Sequence, residues 1–576
     1  MRSLGLVLSM FISLSVFSFA GDVATNAEYF GLLTLLPPAI AIILAFVTKN
    51  VILSLFIGVY SGTFLLGMEG GGFFGGLVGG FTDIITRIIN SMADSWNAGI
   101  ILQVLAIGGL IALISKMGGA RAVAESLAKR ANSPVSAQII TWILGLFIFF
   151  DDYANALIVG PIMRPISDKM RISRERLAFI IDATAAPIAG LALISTWIGY
   201  EISVIKDGYA IIGMENINAY GIFVETIPYR FYNILMLAFV AISSYMSRDF
   251  GPMLKAERNA RLNGVASPVN SEDLEGEATS TMPKEGVTPR MRNALIPIGI
   301  LILFSFIGFY YNGLSSLDGE VLARVNESPL SAFAIRETFG ASDASVVLFQ
   351  AAVFASIVAL FMGVSQRILS VGEAIETWIH GMKPLIITCV ILLMAWSLSS
   401  VIKELGTSTY LISMLSSRIP KAVMPSIIFI LASFIAFATG TSYGTMGILM
   451  PLAIPLANAV GLNAGVAPEA LHTYTVACIG AVLTGAIFGD HCSPISDTTI
   501  MSSMGAGCDH LSHVRTQLVY ALSVAGLSVV FGYLPVGMGL PATVVLPLSI
   551  ISVVAMVRFI GKPVEGEERV SPQAAA

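Results

Sequence analysis

Eleven stretches of this chain are long and apolar enough to cross a lipid bilayer, and that limits what it can fold into. They lie near 31–48, 51–67, 98–115, 176–200, 221–246, 294–312, 343–362, 384–401, 471–505, 516–535 and 542–559. A hydrocarbon core about 30 Å thick takes about 20 helical residues. Backbone in lipid must satisfy its own polar groups, which leaves only helices or closed barrels. Runs of this length that carry Pro and Gly predict an all-α polytopic membrane protein. Only 12% of its 576 residues are charged, against roughly 25% in soluble domains. The net charge of -5 does not set orientation, which follows Lys and Arg placement. No basic face suggests nucleic acid as a partner.

Residues 136–166 do not fit one span. Residues 136–150 are apolar, Asp151-Asp152-Tyr153-Ala154-Asn155 interrupts, and 156–166 are apolar again. The first arm, about 22 Å long as a helix, falls short of the roughly 30 Å core. Lys116, Arg121, Lys129 and Arg130 precede it, and Arg164, Lys169, Arg171, Arg174 and Arg176 follow. Basic flanks on both sides put both ends on the cytoplasmic face, which predicts a re-entrant hairpin with its tip near mid-membrane. The second half repeats the plan. Tyr153, Pro161 and Pro165 match Tyr443, Pro451 and Pro455 at a constant offset of 290 residues. The second hairpin, 422–460, would enter from outside with Thr439 to Thr445 at its tip. Each hairpin is followed by a span with a polar interruption: Asp182 to Pro187 in the first half, Gly489 to Thr499 in the second. Interrupted segments at matching places in two inverted halves are the pattern of a secondary transporter and mark its binding site.

The run Gly489-Asp490-His491-Cys492-Ser493-Pro494-Ile495-Ser496-Asp497-Thr498-Thr499 is the densest of these interruptions. Ionisable side chains at membrane depth are costly and mark ion or substrate pathways. Hard cations take oxygen ligands. The candidate cation- and proton-binding residues are therefore Asp152, Asn155, Asp182, Thr441, Ser442, Asp490, Ser493, Ser496, Asp497 and Thr498, with Asp151, Thr184 and Thr499 as further oxygen donors and His491 as a candidate proton relay. Desolvation favours the neutral form of a carboxylate and a bound cation favours the charged form. Such a carboxylate holds H⁺ or Na⁺ in competition, and exchange follows if only loaded states change access. Structural alternatives stay open. Asp151 can cap the second hairpin arm, and Asp497 can cap the helix restarting after Pro494. Asp182 can pair with an Arg of the basic loop. The serines can satisfy freed backbone groups, and His491 can be a hydrogen-bonded structural residue. Glu201, after Trp197 and Tyr200, reads as an interfacial surface residue, and no clear intramembrane Arg or Lys is seen in the central segments. Trp378, His380 and Trp396 read as interface or packing residues.

Residues 1–20 read as a signal peptide, with an uncleaved first span as the alternative. The chain then divides into a first transporter half at 21–246, a flexible cytoplasmic linker at 247–293, a second half at 294–560 and a cytoplasmic tail at 561–576. Residues Arg248 to Arg292 carry basic and acidic residues in equal number, as a solvated linker would. The four cysteines suit no external disulfide. Cys508, His510 and His513 have ligand-like spacing but lack a fourth partner, so no metal beyond the transported monovalent cation is expected. No Walker A motif points to ATP, and Ser493 and His491 are not spaced to meet on a helix, so neither an enzyme nor a cofactor is expected.

On the residues GDHCSPISDTT at 489–499, FFDDYANALIVGP at 149–161 and LPPAIAIILAFVTKNVILSLFIG at 36–58, the chain resembles the NhaC family of Na⁺/H⁺ antiporters. The resemblance covers most of the chain from about residue 30 to 535. It implies a bacterial multi-pass inner-membrane cation:proton antiporter within a wider ion-transporter fold of inverted repeats and re-entrant hairpins. Its partners are then the lipid bilayer, Na⁺ and H⁺, and a homodimer stays open. The resemblance also leaves open a Na⁺- or H⁺-coupled transporter of a small organic acid or amino acid.

Overall fold

The computed structural model describes residues 23–48, 50–149, 152–215, 217–264, 284 and 286–565. The stretch read as a signal peptide and Asp151 lie outside the described residues. Among the described residues, eleven helices are long and apolar enough to cross a membrane, or twelve if the bent pair Ala219–Tyr229 and Phe231–Met246 forms one span.

Two candidate spans were not among the predicted apolar runs, Gly72–Ala93 and Ser442–Asn463, the second read from sequence as a hairpin arm. Gly72–Ala93 follows a reversal at Gly72 (φ 60°) within Val51–Ala93. Its glycines and its charged Asp83 and Arg87 dilute the apolar signal. Those charges are neutralised locally, because Arg87 Nε lies 2.9 Å from Asp83 and Arg87 also pairs with Glu404.

The first interrupted region is two helices, α1 (Pro134–Phe147) and α2 (Asp152–Lys169), which keeps Pro161 and Pro165 inside it. A capping box of Ser133 and Ser136 starts α1, satisfying helix-end donors that otherwise lack partners. The predicted span 176–200 is not one helix. It is α3 (Arg174–Ala183), a single turn at Ala186–Ala189, irregular backbone to Trp197, and α4 (Ile198–Ile211). After Phe231–Met246 (α5), the predicted linker begins with a two-residue strand β1 (Arg248–Asp249) and a helix α6 (Gly251–Asn263). Its start is thus ordered, and β1 pairs antiparallel with β2 (Lys562–Pro563), the start of the predicted tail.

In the second half, α7 (Met424–Thr439) and α8 (Ser442–Asn463) meet at a break, and α8 contains Pro451 and Pro455. At 22 residues α8 is long enough to cross by itself. Gly440 ends α7 at φ 67°, a left-handed conformation that favours Gly. The predicted span 471–505 divides into α9 (Pro468–Cys492) and α10 (Asp497–Ala506), because Pro494 cannot continue α9. Helix α11 (His510–Leu527) follows.

Two crossings exchange partners between the halves: α2 packs on α10, and α4 packs on α8. At the first, a Cβ on Gly160 would run into the backbone of Gly505, so the helices touch through backbone, as small-residue faces allow in lipid.

A buried polar knot ties the base of the first half. The Arg176 guanidinium, fully buried, bonds Asp249 at 3.0 Å, Gln138 at 3.0 Å, and Ser243 and Ser244 at 2.8 and 3.0 Å. Tyr520 donates to Asp249 at 2.8 Å, and the backbone N–H of Ser173 donates to Glu257 of α6 at 2.7 Å. Burial, and then the charge of Asp249, hold the Glu257 carboxyl above its usual range. Arg176→Leu would strand Asp249 without its cation, at about 3–5 kcal/mol. We expect a clear drop in melting temperature of the detergent-solubilised protein, partly recovered in Arg176→Leu/Asp249→Leu. An unchanged melt for Arg176→Leu would show the knot contributes little.

Candidate functional site

The helix breaks meet in the interior, and side chains reach across them to one another's free carbonyls. Asn155 Nδ2 donates to Thr184 O at 2.5 Å and to Gly145 O at 3.3 Å, joining the α1/α2 break to the end of α3. Ser493 Oγ donates to Phe437 O at 2.7 Å, and Gly440 lies against the Ile495 carbonyl, joining the α7/α8 break to the α9/α10 break. Tyr200 OH donates to Tyr443 O across the halves.

Asp490 stands at the centre, in the last turn of α9. Ser442 Oγ, from the first turn of α8, donates to Asp490 Oδ2 at 2.9 Å. Ser496 Oγ donates to Oδ1 at 2.5 Å and lies 2.9 Å from Thr498 Oγ1. Ser496 occupies the N-cap position of α10 without capping it; its hydroxyl is turned to the carboxylate instead. Asp497 is the first residue of α10 rather than its cap and is exposed. Asp152, buried at the start of α2, takes a hydrogen bond from Trp197 and is an electrostatic neighbour of Asp490 and Asp497. Four of the sequence candidates besides Asp490 thus gather near it from three segments: Asp152 on α2, Ser442 on α8, and Ser496 and Thr498 at the start of α10.

Asp182 forms a second, deeper group and is fully buried. Gln517 Nε2 donates to its Oδ2 at 2.7 Å, and His513 Nε2 lies 3.9 Å away. The Thr499 and Ser502 hydroxyls also lie near its carboxylate, while the buried Asn155 Oδ1 has no hydrogen-bond partner. Asp182 and Asp490 are electrostatic neighbours.

Other candidates are committed elsewhere. Thr441 is half-buried at the start of α8. Thr184 Oγ1 donates back to Ile180 O at 2.8 Å, and Thr499 Oγ1 to the carbonyl of Asp490 at 3.2 Å. His491 is buried, with its Nδ1 2.7 Å from Tyr232 OH and its ring beside Phe179.

Two readings are corrected: the surface placing of Glu201, and the absence of an arginine from the apolar interior, where Arg230 is fully buried. Glu201 is not a surface residue but fully buried. It pairs at 2.9 Å with Arg230, an equally buried arginine at the bend before α5. Arg230 also donates to Thr226 at 3.0 Å and to the Gly190 carbonyl in the unwound segment after α3, and it stacks over Phe223. A buried charge needs a partner and hydrogen bonds, and the pair supplies both. Trp396, by contrast, packs as expected, donating to Ser203 at 2.6 Å.

The charge pattern is uneven. The buried Arg176 and Arg230 each face a carboxylate. Asp182 and Asp490, among the described residues, receive neutral hydrogen-bond donors and no Lys or Arg. Gln517, Tyr232 and Arg230 were missed by sequence reasoning, and His513 was noticed only for its metal-like spacing. The visible signal for Gln517 was an amide inside the apolar run 516–535.

Comparison with known proteins agrees with this picture. The model of the Na⁺/H⁺ antiporter family matches residues 188–538. An uncharacterised protein of Haemophilus influenzae is 34% identical over 507 residues, 88% of this chain and 90% of its own. A malate-2H⁺/Na⁺-lactate antiporter of Bacillus subtilis is 37% identical over 93 residues, 16% of this chain and 18% of its own. The solved structure of the Alcanivorax borkumensis YdaH transporter shares the fold at TM-score 0.53 and 14% identity, covering 80% of this chain and 90% of that one. With its many spans, the chain is a multi-pass cation-coupled membrane transporter and belongs to the Na⁺/H⁺ antiporter family.

Proposed function

We propose that the protein exchanges Na⁺ for H⁺ across the cytoplasmic membrane of a bacterium by alternating access, with its aspartates holding cation or proton in competition. The observation that carries this reading is the buried acidic cluster with no Arg or Lys on Asp182 or Asp490. Uncompensated buried charge costs several kcal/mol per ion, so each state of the cluster calls for a bound cation or a bound proton.

In this reading Asp490, Ser442, Ser496 and Thr498 hold the cation. They offer hydroxyl and carboxylate oxygens from three segments, the oxygen-rich set that a hard cation takes. Exposed Asp497 and half-buried Thr441 mark the side from which a hydrated ion arrives. The remaining aspartates lie in electrostatic range, so a cation at Asp490 weakens proton binding on its neighbours. The partner exchange of α2 with α10 and α4 with α8 fits two inverted repeats with re-entrant hairpins, whose rocking would change access around a fixed site. Na⁺ and H⁺ are the only cofactor-like species required, and no chemical step is catalysed.

The second reading, a coupled carrier of a small organic acid or amino acid, draws on the malate/lactate relative and on the buried Arg230. That guanidinium is already committed to Glu201, Thr226 and Gly190 O, which leaves it poorly placed to bind a substrate carboxylate and favours the bare cation.

In proteoliposomes with a trapped pH dye, Na⁺ or Li⁺ added across a pH gradient is expected to drive proton movement that K⁺ does not match. Asp490→Asn should abolish it. If no cation moves protons alone, simple antiport is refuted, and organic acids and amino acids become the next solutes to add. Competition also predicts that half-saturating Na⁺ rises as pH falls, by up to about tenfold per pH unit while the competing proton binds. A flat dependence would separate the proton from the cation site. Ser442→Ala and Ser496→Ala each remove a hydrogen bond to a charged group, worth about 1.5–3 kcal/mol. Half-saturating Na⁺ should rise by about tenfold or more in each, with the melting temperature near wild type.

A further inference from the structure

Cys508, His510 and His513 drew attention in the sequence as a metal-like group, but among the described residues no cluster could hold a metal ion. The histidines instead join a hydrogen-bonded chain that reaches Gln517, the residue that donates to Asp182. His510 Nε2 lies 2.8 Å from Pro494 O, and its Nδ1 lies 3.1 Å from Ser503 Oγ. Ser503 Oγ is 2.7 Å from His513 Nδ1 and 2.7 Å from Thr499 O. His513 Nε2 is 2.8 Å from Gln517 Oε1 and 3.9 Å from Asp182 Oδ2.

A donor count shows what the chain lacks. A carbonyl only accepts, so His510 carries its proton on Nε2. Gln517 Nε2 donates to Asp182 and to His491 O; its Oε1 therefore faces His513, which carries its proton on Nε2. With both rings neutral, three acceptors compete for the single Ser503 hydroxyl proton: His510 Nδ1, His513 Nδ1 and Thr499 O. One further proton on His510 Nδ1 turns that competitor into a donor and leaves His513 Nδ1 and Thr499 O to share the hydroxyl proton. Nδ1–H then donates to Ser503 Oγ, whose own proton points at His513 Nδ1.

Access differs between the two carboxylate groups. A cation needs a wet path and a proton does not. Asp182 is sealed, while His510 is half-buried at the surface, beside Gly507, whose carbonyl takes Arg174 Nη1 at 3.0 Å.

We propose that His510, Ser503 and His513 are the proton path between this basic face and Asp182, separate from the cation's approach to Asp490. A proton enters on His510 Nδ1 and passes to Ser503 Oγ, which gives its own proton to His513 Nδ1. His513 Nε2, which rests on Gln517 Oε1 at 2.8 Å and stands 3.9 Å from Asp182 Oδ2, must turn from the amide to the carboxylate and close that gap before it releases its proton to Asp182. One proton enters and one arrives, and no heavy-atom bond changes. Charged groups facing the path are Asp509 and Arg515 on α11, Arg174 and Glu175 on α3, and Arg164 on α2. His513 also faces His510, His491 and Asp182. The Ser512 amide holds the Asp509 carboxyl below its usual range, so an anion stands beside the entry.

This inference rests on the antiport reading, and two fluxes tell the two apart. In proteoliposomes, Na⁺-driven proton movement is measured alongside ²²Na⁺/Na⁺ exchange at equal pH, which needs no proton transfer. His513→Gln and Ser503→Ala should slow Na⁺-driven proton movement by about a hundredfold while ²²Na⁺ exchange persists, and Ser503→Thr should restore the proton flux. Wild type without Na⁺-driven flux would refute antiport itself. Wild-type flux unaltered in both variants would overturn the path. Loss of both fluxes in Ser503→Ala would assign the chain a structural role and also overturn it. If only His513→Gln loses both, the Ser503→Ala and Ser503→Thr pair decides.

Discussion

The structure depends on one constraint: broken helices inside a bilayer leave carbonyls that no water can reach. The fold answers with side chains from distant segments. Thr184 O takes Asn155, Phe437 O takes Ser493, Tyr443 O takes Tyr200, Gly190 O takes Arg230 and Pro187 O takes Asn233. Each bond closes a break and ties it to another element. The breaks therefore behave as a connected centre rather than independent defects, and moving one element loads the bonds that hold the others. A transporter fold needs this property, because a shift in access has to be felt at the site.

The second level is charge. Arg176 and Arg230 are buried with their counter-ions, and both sit where the first half changes direction: Arg176 near the base of α3, Arg230 at the bend before α5. These pairs fix geometry. Asp182 and Asp490 are buried with neutral donors only, so their charge is left for something mobile. In the antiport reading, this contrast would separate structural ionisable groups from transport groups better than burial, which all four share.

The organisation of the chain was largely legible. The apolar runs located most spans, and the 290-residue offset and the polar interruptions located the breaks. Asp490, Ser496 and Thr498 stood out because one short run concentrates them, and Ser442 because it lies in the polar tip of the second predicted hairpin. What stayed hidden depends on contacts far apart in sequence. Asp182 and Gln517 are 335 residues apart, and Gln517 looked like a lone polar residue in an apolar helix. Arg230 lay within a predicted span, yet only the fold reveals Glu201 across from it. Gly72–Ala93 was missed because glycine lowers hydropathy as much as a loop would, and because the Arg87 pairing that makes its charges tolerable is a tertiary fact.

Two access routes to one acidic cluster would change how coupling arises. If cation and proton shared a single carboxylate, exclusion would be steric and complete. With the cation among the Asp490 hydroxyls and the proton on Asp182, exclusion is electrostatic and graded. Couplings between sites typically amount to 1–3 kcal/mol, enough to bias loading but not to forbid double occupancy. Tight exchange would then need the moving elements to discriminate as well. The backbone contact of Gly160 with Gly505 lies where that discrimination can occur, because α10 starts beside Asp490, carries Ser503 and crosses α2, whose first residue is Asp152. A change of charge at either group acts on the same short helix, and the helix can report both.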